Sequence, residues 1–216
     1  RGIEIPFPMS DKLLNDFMAV VYRQRRMPPE KEDVRDTARD LLASDFVRKL
    51  LVDEKGQALL SEADLAGVAP AIRRVRFTAG ETIFRQGDPG ESCYVLVRGS
   101  VRGRVEYSDL RQANEFDLGP GALFGEMSLV TGLPRTATLV SPGETEMLLI
   151  SREAFARLLA VRPEVPEALA RIVAHRAGAN LAALEQLKSL GPANVAETLK
   201  KENILRRFLR LLGVSG

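Results

Sequence analysis

Between residues 75 and 150 the chain breaks into short β-rich pieces, at 75–77, 82–84, 94–97, 101–107, 116–118, 136–140 and 147–150, with Gly and Pro punctuating the gaps. That spacing predicts an antiparallel sandwich or roll whose pieces are strands of one domain, not internal repeats. Helical periods lie on both sides, which makes the class α+β. On the N-terminal side Ser10 or Asp11 can cap a segment in which Leu13, Leu14, Phe17, Val20 and Val21 recur at helical spacing. The basic run Arg23-Gln24-Arg25-Arg26 closes it, and Met27-Pro28-Pro29 breaks it. Val34, Ala38, Leu41, Leu42, Phe46 and Leu50 predict a second helix with one apolar stripe. Ser61-Glu62-Ala63-Asp64 has capping-box spacing and opens a third, with Leu65, Val68, Ala69 and Ile72 inward. On the C-terminal side Ser151 precedes Arg152-Glu153-Ala154-Phe155, a capped start. Pro163 and Pro166 divide that helix from a longer one carrying Leu169, Ile172, Val173, Leu181, Leu184 and Leu187 on one face.

Composition narrows the function classes. With 216 residues, 45% hydrophobic and 28% charged, the chain can bury one good core and has no overall bias toward disorder. A net charge of +2 argues against a surface that coats nucleic acid. The Arg run at 23–26 sits at a helix C-terminus, where it complements the dipole and faces water. Cys93 is alone, so no internal disulfide forms, and its apolar run Cys93-Tyr94-Val95-Leu96-Val97 makes it a buried small hydrophobe. No stretch approaches the roughly 18 uninterrupted apolar residues of a membrane span. The chain starts at Arg1, without initiator or signal peptide, and reads as a fragment. His175 is the sole histidine, with no Cys or carboxylate cluster beside it at ligand spacing. Neither a metal site nor a His-dependent triad can be assembled, and catalysis is not expected.

The chemistry concentrates at Phe124-Gly125-Glu126-Met127-Ser128-Leu129, followed six residues later by Arg135-Thr136-Ala137. Gly125 lets backbone approach a ligand closely, and the residues after it open a short helix whose free N–H groups, around Gly125, Met127 and Ser128, point at an anion. Arg135 closes the far side. A carboxylate repels bare phosphate, so Glu126 implies hydroxyl donors beside the charge, as in a sugar phosphate.

This run resembles the phosphate-binding cassette of cyclic-nucleotide-binding domains, in which Phe-Gly-Glu, two small or apolar residues, a short run and Arg-(Ser/Thr/Ala)-Ala recur in that order. The resemblance takes in Ala79-Gly80-Glu81, the Gly87-Asp88-Pro89-Gly90 turn and Arg98-Gly99-Ser100, and so spans roughly residues 61–190. It implies an eight-stranded, jelly-roll-like antiparallel β-roll, with cyclic AMP or cyclic GMP as ligand and no other cofactor. Arg135 and the backbone N–H groups would take the cyclic phosphate, Glu126 would accept from the ribose 2′-OH, and the long C-terminal helix would close over the base. Thr136 follows the Arg where a hydroxyl could reach the exocyclic amine of a syn guanine, but it also reads as an ordinary β-branched strand residue. Base identity stays open. Arg176 and Asn180, one turn apart on the long helix, either meet the base or stay in water.

Gly2-Ile3-Glu4-Ile5-Pro6-Phe7-Pro8 is an extended strand in which Pro6 and Pro8 forbid helix and weaken sheet pairing. It is similar to the run that closes the cytoplasmic vestibule in channels of the mechanosensitive, small-conductance family. Together the two resemblances imply a bacterial ion channel with a nucleotide sensor at its cytoplasmic end. Residues 1–9 would be the end of the channel's cytoplasmic domain, 10–60 a helical linker, 61–190 the cyclic-nucleotide-binding domain and 191–216 a basic amphipathic helix. The implied partners are the cyclic nucleotide, the rest of the channel and neighbouring subunits of a ring-shaped homo-oligomer. A region upstream of this chain would hold the assembly in the bacterial inner membrane. The basic tail packs on its own domain or a neighbour, lies on an anionic membrane, or engages another partner. Residues 191–216 are too few for a helix-turn-helix domain, so nucleic acid is not an expected partner. The alternative is a soluble cyclic-nucleotide-binding regulatory module attached to no channel.

Overall fold

The apolar runs at 93–97 and 147–150 show no polar alternation because the sheet that contains them is buried on both faces. The computed structural model describes residues 34–53, 55–107, 112–179, 203–204 and 206. In it β1 (Arg73–Phe77), β3 (Ser92–Arg98), β6 (Leu123–Phe124) and β8 (Thr145–Ser151) form an antiparallel sheet in the order β1-β8-β3-β6. Cys93, Val95, Leu148 and Ile150 pack into a layer of helices, while Tyr94, Leu96, Met147 and Leu149 pack toward a second sheet. That second sheet holds β2 (Thr82–Phe84), β7 (Thr138–Val140), β4 (Val101–Tyr107) and β5 (Gln112–Leu118), in the order β2-β7-β4-β5. One of its faces is wet. Along β4 Val101, Gly103 and Val105 are buried while Arg102, Arg104 and Glu106 are exposed, the alternation of a one-sided strand.

The antiparallel β-roll with flanking helices is thus present, with one strand more than the sequence pattern resolves. The added strand is β6, only two residues long. The expected strand at 136–140 starts at Thr138 instead, leaving Thr136 and Ala137 in a bend. The backbone hydrogen bonds explain the late start. Arg135 N donates to Asp88 O at 2.8 Å and Arg135 O accepts from Gly87 N at 2.9 Å, so this stretch is tied to a turn before it joins a ladder.

The helical layer covers the outer face of the first sheet. The stripe expected to form one helix over 34–50 forms two pieces, α1 (Val34–Ala43) and a π-helical turn (Phe46–Leu50). Between them the Ser44 hydroxyl donates to Leu41 O at 2.5 Å, and Phe46 N leaves the helical ladder for Gly121 O at 3.2 Å. Phe46 and Val47 reach the core by this break, beside Leu41, Leu65, Phe155 and Leu158. α2 (Glu62–Val68) has the expected capping box: Asp64 N donates to Ser61 Oγ and Ser61 N donates to Asp64 Oδ2, at 3.3 and 3.0 Å. Such a cap is worth about 1 kcal/mol. α3 (Glu126–Thr131) is a short buried helix, α4 (Arg152–Ala160) starts at the Ser151 cap, and α5 (Val165–Ala179) follows Pro163.

The core of this layer draws on residues from both sides of position 60, from Ala38 to Val173. Ile204 is fully buried in it, so the described part of the basic tail packs against its own domain. Residues 1–33, with the proline strand, the channel-like end 1–9 and the first expected helix, lie outside the described residues. So do Asn180, Leu181, Leu184, Leu187 and the rest of the tail.

Candidate functional site

Of the residues singled out as ligand contacts, all but Asn180, which lies outside the described residues, line one cavity. Gly125, Glu126, Met127, Ser128, Arg135, Thr136 and Arg176 border a space of about 320 Å³, the size of a small-molecule site. Phe84, Phe116, Leu118, Phe124 and Leu139 supply its apolar walls.

Gly125 is required twice over. It begins α3 with φ of +80°, a left-handed conformation that a Cβ disfavours, and a Cβ there would meet Arg135 Nη1 at 2.7 Å. Met127 and Ser128 stand in the first turn that this cap begins, where N–H groups have no acceptor within the helix.

Arg135 is 4% exposed. Its Nη1 donates to Ser92 O at 2.8 Å and to Gly125 O at 2.7 Å, and its Nη2 donates to Ser92 Oγ at 3.3 Å. The guanidinium carbon lies 4.2 Å from the centre of the Phe84 ring, a cation–π contact. Phe84 is itself held in an aromatic cluster with Tyr94 and Phe124, the latter two stacked at 5.4 Å. Gly90 completes the seat, since a Cβ on it would fall 2.4 Å from Arg135 Nε and 2.5 Å from Cζ. A planar cation is therefore fixed in orientation at the cavity wall, as recognition of a phosphate requires.

Glu126 is 2% exposed, and an isolated buried carboxylate would be costly. It is not isolated. Arg176 Nη1 donates to Glu126 Oε1 at 2.7 Å and to Leu123 O at 2.8 Å, so α5 reaches across to the start of α3. Arg176 is thus neither left to the solvent nor placed by itself. It holds the carboxylate, whose several lone pairs leave room for a ligand hydroxyl. Thr136 also borders the cavity, from the bend before β7 rather than from a strand. Burial pushes the Cys93 thiol pKa up, the nearby Glu126 charge adds to the shift and Arg135 opposes it, which leaves an inert, protonated sulfur.

The sequence pattern left several members of the site unidentified. Ser92 holds Arg135 chiefly through its backbone carbonyl, which no side-chain pattern can signal. Phe116 and Leu118 alternate on β5, a spacing that reveals a shared face but not what that face encloses. Among the described residues no group of His, Cys, Asp and Glu could hold a metal ion, and no helix is long and apolar enough to cross a membrane.

Residues 74–162 match the protein family described as the cyclic nucleotide-binding domain. The chain is 31% identical over 112 residues to a CRP-like cAMP-activated global transcriptional regulator of Mycobacterium tuberculosis, covering 52% of this chain and 50% of that protein. It is 34% identical over 120 residues to a cyclic nucleotide-gated potassium channel of Mesorhizobium japonicum, covering 56% of this chain and 32% of the channel. It therefore spans half or less of these relatives' own lengths. Among solved structures, the catabolite activator protein of Thermus thermophilus aligns with a TM-score of 0.51 at 28% identity, over 72% of this chain and 84% of that one.

Proposed function

We infer that this chain, whose residues 74–162 are a cyclic nucleotide-binding domain, is the sensing part of a longer regulatory protein and takes a 3′,5′-cyclic nucleotide in the 320 Å³ cavity. One observation carries the inference: Arg135 and Glu126, opposite in charge, border the same cavity. The cyclic phosphate bears one negative charge, suited to the oriented guanidinium and the first-turn N–H groups of α3. The ribose 2′-OH donates to Glu126. The base then falls to the apolar end formed by Phe116, Leu118 and Leu139, with Thr136 at its edge.

Regulation follows from the grip of α5. A hydroxyl arriving at Glu126 shares the carboxylate with Arg176, and so changes the hold of that helix on α3. Arg176 also borders a second cavity of about 390 Å³, walled by Lys49, Leu50, Val52 and Asp53. A shift at Glu126 is in this way felt by the segment that leads into the domain.

The effector in this proposal is an ion channel of the mechanosensitive, small-conductance type, on the cytoplasmic side of a bacterial inner membrane. Residues 2–8 support it, and the 34% identity to a nucleotide-gated potassium channel is in keeping with it. The similarity to the transcriptional regulator of Mycobacterium tuberculosis favours a second reading, a soluble cyclic-nucleotide-binding regulatory module attached to no channel. Calorimetric titration of the chain with cyclic AMP and cyclic GMP tests the first half: saturable binding is expected, with ligand recovered unhydrolysed, and binding of neither removes the proposal. Patch recording of the full-length parent in liposomes tests the second, where a nucleotide-dependent open probability is expected and an unresponsive or absent conductance overturns it.

A further inference from the structure

Gly103 sits in the middle of the second sheet, paired with Phe116 on β5 and with Leu139 on β7. Three neighbouring strands therefore carry Phe116, Gly103 and Leu139 as one row on one face. Phe116 and Leu139 line the cavity, and the glycine between them leaves a notch in the row beneath it. The Phe116 ring lies in that notch: a Cβ on Gly103 would fall 2.2 Å from its Cζ, 2.4 Å from Cε2 and 2.7 Å from Cε1. Gly103 is not among the glycines with positive φ, so its backbone suits any residue. Glycine within a strand weakens the strand, and what it provides here is space.

The rest of the cavity locates this row. Phe84 on β2 pairs with Leu139 and carries the Arg135 guanidinium over its ring, so Phe116, two strands beyond Leu139, is the member of the row farthest from the cation and faces whatever the sugar carries. We propose that Gly103 and Phe116 act together as a gauge for the base. The ring, seated over Gly103, is the flat apolar wall on which a purine stacks, and the depth of the notch sets how large a base the cavity takes. This rests on the cyclic-nucleotide binding proposed above, and it assigns base selection to shape and ring contact.

The test uses the whole chain and three ligands: cyclic AMP, a base-free methyl ribofuranoside 3′,5′-cyclic phosphate, and N6-benzyl cyclic AMP. Gly103→Ala drives the ring into the cavity, and is expected to weaken cyclic AMP about tenfold while moving the base-free ligand less than about twofold. In a Phe116→Ala background Gly103→Ala should cost cyclic AMP less than about twofold, because the ring it would displace is gone, a loss of effect that general destabilisation would not give. Phe116→Ala alone deepens the notch and should raise the affinity for N6-benzyl cyclic AMP relative to cyclic AMP by about tenfold, which decides the matter even if Gly103→Ala does not fold. Equal losses for cyclic AMP and the base-free ligand, or an unchanged N6-benzyl ratio in Phe116→Ala, overturn the inference while leaving cyclic-nucleotide binding in place. A wild-type chain that binds none of the three ligands removes both.

Discussion

Arg135 serves the fold as well as any ligand, because its guanidinium satisfies the half-buried carbonyls of Ser92 and Gly125 and covers the Phe84 ring. Arg135→Ala is therefore expected to do two things. Cyclic-nucleotide affinity should fall by about ten- to a hundredfold, the effect of losing a hydrogen bond to a charged group, read by calorimetry. Unfolding free energy should fall by about 1–2 kcal/mol, since two half-buried acceptors lose their donor, read by urea denaturation. An unchanged affinity would show that the anion is held elsewhere. That Glu126 and Arg135 meet at one cavity was legible in the sequence, because opposite charges so close to a glycine are what a sugar phosphate would demand. Gly90 was legible only as a turn, since its role lies in the guanidinium packed against it. Arg176 could not be placed, because an arginine on an amphipathic helix looks solvent-facing until the helix's rotation against α3 is known.

At the scale of elements, the Arg176–Glu126 pair is the polar tie between α5 and the start of the site. Arg176→Ala leaves a carboxylate at 2% exposure without this partner. Faster amide exchange over residues 165–179 and a lower melting temperature are the expected results, and exchange equal to wild type would place the hold on α5 in its apolar face alone. Elements were legible where a local pattern sufficed. The caps at Ser61 and Ser151 announced their helices, and short β-rich runs punctuated by Gly and Pro announced seven of the strands. β6 is too short to carry a period, and the break at Ser44 depends on Phe46 N finding Gly121 O, a partner far along the chain that no window of sequence contains.

For the whole molecule, three carboxylates held below their ordinary pKa, Asp64, Glu146 and Glu153, bear on the acid limit. The backbone N–H and hydroxyl of Ser61, with Arg162 at 2.9 Å, bring the Asp64 pKa from the ordinary 3.8 down to about 2. Burial pushes the Glu146 pKa up, but hydrogen bonding to Arg74 and the charges of Arg74, Arg76 and Arg98 outweigh it, and the net shift is downward. A carboxylate with a lowered folded-state pKa gives stability that is complete above its unfolded value and is lost as pH falls through the folded one. Denaturation midpoints are therefore expected to hold from neutrality to about pH 4 and to drop between about pH 4 and 2, with a shallower drop in Asp64→Asn. A decline beginning well above pH 4 would point to other groups. Arg74 gives Glu146 a wider part, since it also reaches Asp40 on α1 at 2.6 Å and so fastens the helical layer to β8.

The sheet at the centre of the chain, sealed by helices on one side and strands on the other, behaves as an anvil. Close-packed matter yields little to a small push, so β3 and β8 are expected to stay put when a ligand enters the cavity. Whatever news leaves the pocket has to travel outward by the rods that rest on this block, and those rods are where a spectroscopic label should be fixed to hear it.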